Sequence, residues 1–278
     1  MLTTISIISQ LIFQDEFQKH FNLEKRSLTY FKDAINQDGG GHKIKLVYNN
    51  EEFSFRNIMD EIYILRSKNS SEDCITLNID KKNKVVNINN ISAVGGILCF
   101  KQITPKKGTL LLELAIKFAK KLKKEKYYDV NKIFLTDNSS LYCTNNKYSI
   151  PLSNIKLIIS GETFYSSHGF LPISEKDRIM FNNNKKILKN LLIKDVDLEK
   201  YINNFIEEYK NVYSLKSLNS IINFIKNNRK MYLGSFFEII SNKESFNENC
   251  QLVDYLINQI FDDLKIKSMY NMKYEMYI

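Results

Sequence analysis

Apolar and polar residues alternate through much of the first hundred positions, a pattern typical of strands that bury one face. The segment Lys43–Tyr48 alternates, passes through a turn of two asparagines and continues into Glu51–Phe55, which predicts a β-hairpin. Ile75–Ile79 and Val85–Ile91 flank a polar turn and predict a second hairpin. The first half of the chain is therefore expected to supply antiparallel strands.

Other segments of the first half show different patterns. Apolar residues at helical spacing predict a helix over Asn57–Leu65. Gly95–Ile103 is mostly apolar and predicts a further strand, while the glycine run Gly39–Gly41 predicts a flexible turn. Ahead of that run, Leu2–Phe13 predicts a strand or a short helix.

The middle of the chain carries the most informative pattern. Thr109–Leu122 has apolar residues at i, i+3 and i+4 and lysines on the other side, which predicts an amphipathic helix starting next to Gly108. Lys132–Leu135 predicts a strand and Ser153–Ile159 a second helix. The block closes with Tyr165–Phe170, whose sequence is Tyr-Ser-Ser-His-Gly-Phe.

Beyond Pro172 the pattern is almost entirely helical. Asn182–Lys186 is a polar break and a predicted boundary. Asp197 and Ser217 are predicted helix N-caps, because each precedes a run of apolar residues at helical spacing. A last long helix is predicted over about residues 247–267, and the aromatic C-terminal segment Met269–Ile278 is expected to pack against the rest.

These elements predict an α+β fold with a mixed, mostly antiparallel sheet flanked by helices. We expect an α+β domain over residues 1–180 and a helical domain or extension over residues 181–278. A chain of 278 residues, 44% hydrophobic and 26% charged, has ample material for such cores.

The cysteines and the terminal segments bear on the cellular compartment. Four widely spaced cysteines without a Cys-x-x-Cys pair predict neither a zinc site nor a disulfide framework, and they suit a reducing compartment. The first residues do not have the pattern of a signal peptide, and no apolar stretch is long enough to span a membrane. We therefore expect a soluble, intracellular protein.

Positive charge is concentrated around the middle helix. Residues 101–132 contain ten lysines and three acidic residues, within a chain whose net charge is +9. Such a stretch is compatible with a solvated helix face, with binding of a cofactor's phosphates, or with binding of nucleic acid. Walker-type loops, dinucleotide fingerprints and the Gly-x-Ser-x-Gly motif are absent, and three scattered histidines offer little support for a hydrolase triad.

The order glycine turn, helix, strand, helix and Tyr-x-x-x-Gly-Phe resembles the second half of a GNAT-type (Gcn5-related) N-acetyltransferase domain. It is also similar to Lys- and Asn-rich proteins of large DNA viruses that carry the same block. Tyr165–Phe170 matches the family signature in full. The family's loop pattern is Gln/Arg-x-x-Gly-x-Gly/Ala, and with Gly108 as its last glycine this chain has Ile103 and Lys106 at the other two positions.

The resemblance implies acetyl-CoA as cofactor and assigns roles to particular residues. Tyr165 takes the place of the general acid that protonates the departing thiolate, and the alternative is a core tyrosine whose ring packs under Gly169 and Phe170. By residue type, His168, Glu162 and Asp137 are candidate bases. His168 stands at a variable position of the signature and also suits a surface histidine, and Asp137 also suits a cap of the turn after its strand. The pyrophosphate would be held at the helix N-terminus by Lys106, Lys107, Gly108, Thr109 and Leu110.

Three functions follow as alternatives. The first is an acyl-CoA-dependent N-acyltransferase acting on an amine of a small molecule or a protein. The second is a catalytically inactive interaction or virion-associated protein of the same fold, since Lys106 replaces a loop glycine. The third is nucleic-acid binding through residues 101–132. A viral member would act in the host cytoplasm or the virion.

Overall fold

The computed structural model describes residues 43–48, 51–59, 61–67, 73–91, 107–124, 128–143, 148–209, 215–242 and 246–278. The elements predicted before residue 42 and over 95–103 lie outside the described residues, as do the glycine run and Lys106. The strands are β1 (Lys43–Tyr48), β2 (Glu51–Met59), β3 (Ile62–Ser67), β4 (Ile75–Asp80), β5 (Val85–Ile91), β6 (Lys132–Thr136), β7 (Ser140–Cys143), β8 (Tyr148–Pro151), β9 (Leu171–Pro172) and β10 (Lys273–Tyr277). The α-helices are α1 (Lys107–Lys124), α2 (Leu152–Ser160), α3 (Glu175–Leu188), α4 (Leu198–Glu208), α5 (Leu215–Asn227), α6 (Leu233–Ile240) and α7 (Phe246–Asp263).

The chain forms two compact units. One comprises Met1–Cys74 and Ser92–Lys107, and the other comprises Ile75–Ile91 and Gly108–Ile278. The predicted division at residue 180 does not coincide with these units, because strand β10, near the C-terminus, pairs with strands of the preceding region. The predicted α+β class with a mixed, mostly antiparallel sheet and flanking helices is confirmed.

The first unit contains the antiparallel strands β1, β2 and β3. The predicted hairpin is confirmed, with Tyr48 opposite Glu51. The helix predicted over Asn57–Leu65 is wrong, because this segment is the end of β2 and most of β3. A register shift between Asn57 and Met59 inserts Ile58 as an extra residue. Such a bulge interrupts the two-residue alternation, which explains why the sequence resembled a helix.

The sheet of the second unit has the order β4-β5-β6-β10-β9. Strands β4 and β5 form the second predicted hairpin, and β10 is antiparallel to both β6 and β9. Strands β5 and β6 are parallel and are connected through α1. Parallel neighbours need such a crossover, because a tight turn cannot join them.

Helix α1 confirms the predicted amphipathic helix. The residues at its apolar positions are buried, namely Leu111, Leu114, Ala115, Phe118 and Leu122. Near its C-terminal end, Lys123 Nζ donates to the carbonyl of Ile278, whose own N–H bonds the carbonyl of Asn131 just before β6. The C-terminal end of α1 therefore lies at the amino end of β6.

The remaining helices follow most, but not all, of the predictions. The Asp197 cap of α4 is confirmed, because its side chain accepts from the N–H of Lys200. Ser217 is not a cap, since it lies inside α5. The boundary at Asn182–Lys186 is also wrong, because these residues lie inside α3. Asn182, Asn183 and Lys186 are on the exposed face of α3, while its other face is buried through Phe181, Asn184 and Leu188.

Two local features of the second unit were not predicted. The polar interval after β6 forms a separate antiparallel hairpin, β7 and β8. Cys143 at the end of β7 forms a disulfide with Cys250 of α7, with Cα atoms 6.0 Å apart, and Cys74 is also disulfide-bonded. The expectation of no disulfide framework is therefore wrong. Cys143 and Cys250 are 107 residues apart, and only tertiary packing brings them together. Within the described helices, none is both long and apolar enough to cross a membrane.

The contact between α2 and α6 generates a prediction about Gly234. A Cβ atom there would lie 2.2 Å from the carbonyl oxygen of Ile159, well inside van der Waals contact with rigid backbone. We expect Gly234→Ala to lower the free energy of unfolding by about 1–3 kcal/mol, as overpacked substitutions do. Urea unfolding measures the change, with Ser235→Ala in the same helix as control. A Gly234→Ala protein as stable as the wild type would contradict this contact.

The disulfide generates a second prediction. Because it links residues distant in sequence, Cys143→Ser should lower the stability by about 2–4 kcal/mol through the greater freedom of the unfolded chain. The measurement is urea unfolding with and without dithiothreitol. Reduction should lower the unfolding midpoint of the wild type more than that of the variant. Mass spectrometry of the unreduced digest should recover a peptide pair joined through Cys143 and Cys250. Alkylation of both thiols in unreduced, unfolded protein would show that the bond does not form.

Candidate functional site

The Tyr-x-x-x-Gly-Phe segment folds into one tight turn that holds Tyr165 in place. Ser166–His168 form a 3₁₀ turn, which Gly169 closes in the left-handed conformation with φ 88°. Glycine adopts this conformation without the strain that a Cβ atom introduces. The N–H of Phe170 then donates back to the Tyr165 carbonyl at 3.2 Å. Phe170 is fully buried. Its buried ring and its backbone hydrogen bond to Tyr165 therefore fix the position of Tyr165.

The Tyr165 side chain is buried among aromatic rings. Only 8% of its surface is exposed, and its ring centroid lies 6.1 Å from that of Phe170 and 6.0 Å from that of Tyr274. Burial raises the pKa of Tyr165, and the nearby Asp137 carboxyl and Tyr274 hydroxyl raise it further. The phenol is therefore held in its protonated form at neutral pH.

Asp137 lies immediately after β6 and is held by the chain before β10. Its N–H donates to the Met272 carbonyl and its own carbonyl accepts from the Asn271 N–H, both at 2.8 Å. Side-chain oxygen Oδ1 accepts from the N–H of Ser139 at 3.1 Å and from its hydroxyl at 2.5 Å. The predicted role of Asp137 as a cap of the turn is thus confirmed.

The second carboxyl oxygen of Asp137 is buried without a partner. Oδ2 makes no hydrogen bond within the described residues, although the side chain is fully buried. Desolvation by burial raises the pKa of Asp137, and the two Ser139 donors offset only part of that effect. An unpaired carboxyl oxygen is costly in a folded protein, and such groups occur preferentially where a ligand or a proton is handled.

Tyr274 adds a second unpaired polar atom to this cluster. Its hydroxyl has no hydrogen bond of good geometry among the described residues, and the side chain is fully buried. Burial raises its pKa, with Thr163 acting in the opposite direction and Asp137 in the same direction. The sequence analysis missed this residue. Only the expectation that the aromatic C-terminal segment packs against the rest pointed towards it.

The cluster of Asp137, Tyr165 and Tyr274 lies at the carboxyl end of β6. The parallel pairing of β5 with β6 ends at Ile88 and Leu135, although β5 itself continues to Ile91. Asp137 comes two residues after Leu135 and so lies just beyond the paired part of β6. Because the C-terminal end of α1 lies at the amino end of β6, its N-terminal end points towards the carboxyl ends of the strands. In open parallel sheets, ligands bind outside the carboxyl ends of the strands, and β5 and β6 form a parallel pair of this kind.

The predicted phosphate-binding residues are described only in part. Lys106 lies outside the described residues, and Lys107 is the first residue of α1. Gly108, Thr109 and Leu110 form the first turn and are half-buried. Among the described residues, the aromatic rings in contact with Tyr165 are those of Phe164, Phe170 and Tyr274. None of these residues belongs to α1, so the ring contacts do not connect Tyr165 to the predicted phosphate-binding residues.

The other candidate bases are engaged in local contacts. His168 Nδ1 donates to the Phe164 carbonyl at 2.8 Å. Glu162 forms an ion pair with Lys185 at 2.5 Å. Across the described residues, no group of three or more His, Cys, Asp or Glu side chains is placed to hold a metal ion. Asp137 is thus the candidate base with an unpaired, buried carboxyl oxygen.

Comparisons with known proteins do not identify the chain. No protein-family model matches it, and no similar curated protein or solved structure is found.

The buried carboxyl generates a prediction about pH. Because burial raises the pKa of Asp137, the folded state holds this proton more tightly than the unfolded state does. Its contribution to stability falls as the pH rises from about 4, the unfolded-state pKa, through the raised folded-state pKa. Asp137→Asn removes the buried charge, so it should raise the free energy of unfolding at pH 7 and flatten this decline.

Urea unfolding at several pH values from about 4 to 8 measures both effects. The control is Asp262→Asn, which changes an exposed carboxylate of α7 and should leave the decline unchanged. A lower stability of Asp137→Asn at neutral pH would show that the ionised carboxylate and its Ser139 bonds stabilise the fold instead.

Proposed function

We propose that the chain is an acyl-CoA-dependent N-acyltransferase of the GNAT type that acts on an amine acceptor. One observation carries the proposal. A buried, protonated Tyr165 and the unpaired Asp137 carboxyl lie together at the carboxyl end of β6, in a parallel strand pair connected through α1. The order of α1, β6, α2 and the Tyr165 turn is also the order that the family resemblance implies.

The first turn of α1 is suited to bind the phosphates of acyl-CoA. The first N–H groups of a helix have no intrahelical partner, and the helix dipole makes them attractive to anions. In α1 these donors come from Lys107, Gly108 and Thr109, and the first turn contains no acidic residue. Gly108 has no side chain to keep a pyrophosphate away from the backbone.

Tyr165 and Asp137 are suited to the two proton transfers of acyl transfer. The amine nitrogen forms a bond to the acyl carbon and loses a proton, while the bond from carbon to sulfur breaks and the thiolate gains one. Tyr165 donates to the thiolate. The burial that raises the phenol's pKa also raises that of a thiol bound beside it, which keeps the two comparable. Asp137 Oδ2 accepts the proton from the amine, and its raised pKa makes it a better base than an exposed carboxylate.

The two alternatives rest on different features. An inactive member of the fold would follow from the side chain of Lys106 where the family pattern has glycine. Nucleic-acid binding would require a free lysine face on α1. Lys120 and Lys124 are exposed, but Lys123 bonds the Ile278 carbonyl, and burial lowers the pKa of Lys117. The basic residues of the last turn of α1 also complement the negative end of the helix dipole.

Calorimetric titration with acetyl-CoA tests the proposal. Micromolar binding is expected, and Gly108→Glu should abolish it, because a carboxylate in the first turn repels the pyrophosphate. Lys124→Gln is the matched control, since it changes the charge by the same amount at the far end of α1 and should retain binding. The absence of heat from folded protein at millimolar acetyl-CoA would contradict the proposal and favour an inactive member of the fold.

Tyr165→Phe separates chemistry from binding in the same experiment. The variant keeps the ring packing and should bind acetyl-CoA as the wild type does. With a panel of polyamines, aminoglycosides and lysine peptides, its rate of thiol release should fall by about 10²–10⁴-fold, the usual contribution of a general acid. An unchanged rate would exclude Tyr165 as the acid. Binding to single-stranded DNA that weakens with salt and with Lys120→Gln would instead favour the nucleic-acid alternative.

A further inference from the structure

A preformed groove lies along α3, apart from the residues of the proposed acyltransferase site. It has a volume of about 930 Å³ and lies between α3 and the chain that follows α7. Its apolar surface comes from Ile179, Met180, Ile187 and Leu264. The side chains of Ile179 and Ile187 are 53% and 40% exposed, although they are eight positions apart on one face of α3. Exposed apolar residues grouped in this way are typical of an interaction surface.

Four lysines surround this apolar surface, namely Lys176, Lys186, Lys265 and Lys267. None of the four forms an ion pair with a described residue, and none of the residues that line the groove is acidic. Of the acidic groups close by in sequence, Asp263 accepts a hydrogen bond from the Tyr201 hydroxyl and Glu162 is paired with Lys185, while Glu175, Asp177 and Asp262 flank the groove without lining it. The lining itself therefore places four positive charges around an apolar centre.

The two sides of the groove are held at a constant separation by Asn184. This buried side chain donates through Nδ2 to the Lys267 carbonyl at 2.8 Å, and its Oδ1 accepts from the Lys267 N–H at 3.4 Å. Lys265 adopts the left-handed conformation where α7 ends, with φ 55°. A groove whose sides are already in position loses less entropy on binding than one that must be ordered.

From this geometry we infer that the groove binds a short amphipathic helix of a partner protein, with leucine-like residues on one face and acidic residues beside them. A helix of two to three turns spans the distance of about 12 Å between Ile179 and Ile187. A planar lipid surface does not enter a concave groove. The residues that line the groove include no aromatic ring and no arginine on which the bases of a nucleic acid could stack.

Selection from a peptide display library tests the inference. The library consists of 14-residue peptides with leucine at positions i, i+4 and i+8, and with Asp, Asn and Lys randomised elsewhere. Binding to the full-length protein should enrich Asp over Lys beside the leucines. The selected peptide, labelled with fluorescein, should bind with micromolar affinity in anisotropy titrations, and more weakly as the salt concentration rises.

Two pairs of substitutions assign this binding to the groove. Ile179→Ser with Ile187→Ser, and separately Lys186→Glu with Lys265→Glu, should each weaken the peptide by about tenfold or more. All four positions are solvent-accessible, so the variants should fold.

The matched controls are Ile58→Ser, at an isoleucine that is also 53% exposed, and Lys189→Glu with Lys194→Glu, at exposed lysines outside the groove. The controls should bind as the wild type does.

Four outcomes would overturn the inference. They are a library without enrichment, enrichment of Lys, equal binding of a scrambled acidic peptide, and affinity unchanged by both groove variants. Sedimentation of the protein with phosphatidylserine vesicles tests a membrane as the occupant, and sedimentation velocity tests a second copy of the chain. Vesicle binding or self-association that the Ile179→Ser, Ile187→Ser variant abolishes would replace the partner helix with that occupant.

Discussion

The antiparallel pairing of β10 is the constraint on which the larger compact unit depends. This strand lies between β6 and β9, although it comes from the end of the chain. Its Glu275 is only 5% exposed and forms ion pairs with Lys132 of β6 at 2.9 Å and with Arg178 of α3 at 2.7 Å. A buried carboxylate needs such partners. The ion pairs therefore join the sheet to α3 as well as adjacent strands to each other.

The same strand completes the candidate site. Tyr274 of β10 brings its ring to Tyr165, and the turn before β10 holds the backbone of Asp137 on both sides. The phenol and the carboxyl are thus positioned by a segment more than a hundred residues beyond Asp137. The cluster combines a protonated phenol with an unpaired carboxyl oxygen, and the proposal of acyl transfer rests on this pairing. The groove along α3 has the opposite character, since it is open, apolar and basic.

The disulfides conflict with the compartment expected from the sequence. Cysteines without a Cys-x-x-Cys pair suited a reducing environment, yet Cys143 and Cys250 are bonded and Cys74 is bonded as well. Both Cys143 and Cys250 are buried, so their bond is shielded from solvent. Disulfides persist mainly in oxidising compartments. The bonded cysteines therefore argue against the reducing compartment that their spacing suggested.

Local patterns in the sequence determined the hairpins, α1, β6, α2 and the cap of α4, because burial of one face and capping leave a periodic or local signal. The family resemblance named Tyr165 as a candidate acid, and Asp137 was named both as a candidate base and as a cap of the turn after β6. The local patterns failed where a bulge at Ile58 broke the alternation and where the exposed face of α3 resembled a linker. Only the tertiary structure paired the cysteines, brought Tyr274 to Tyr165 and left Asp137 Oδ2 unpaired. These features depend on contacts between distant segments and on exclusion of water, which spacing along the chain does not record.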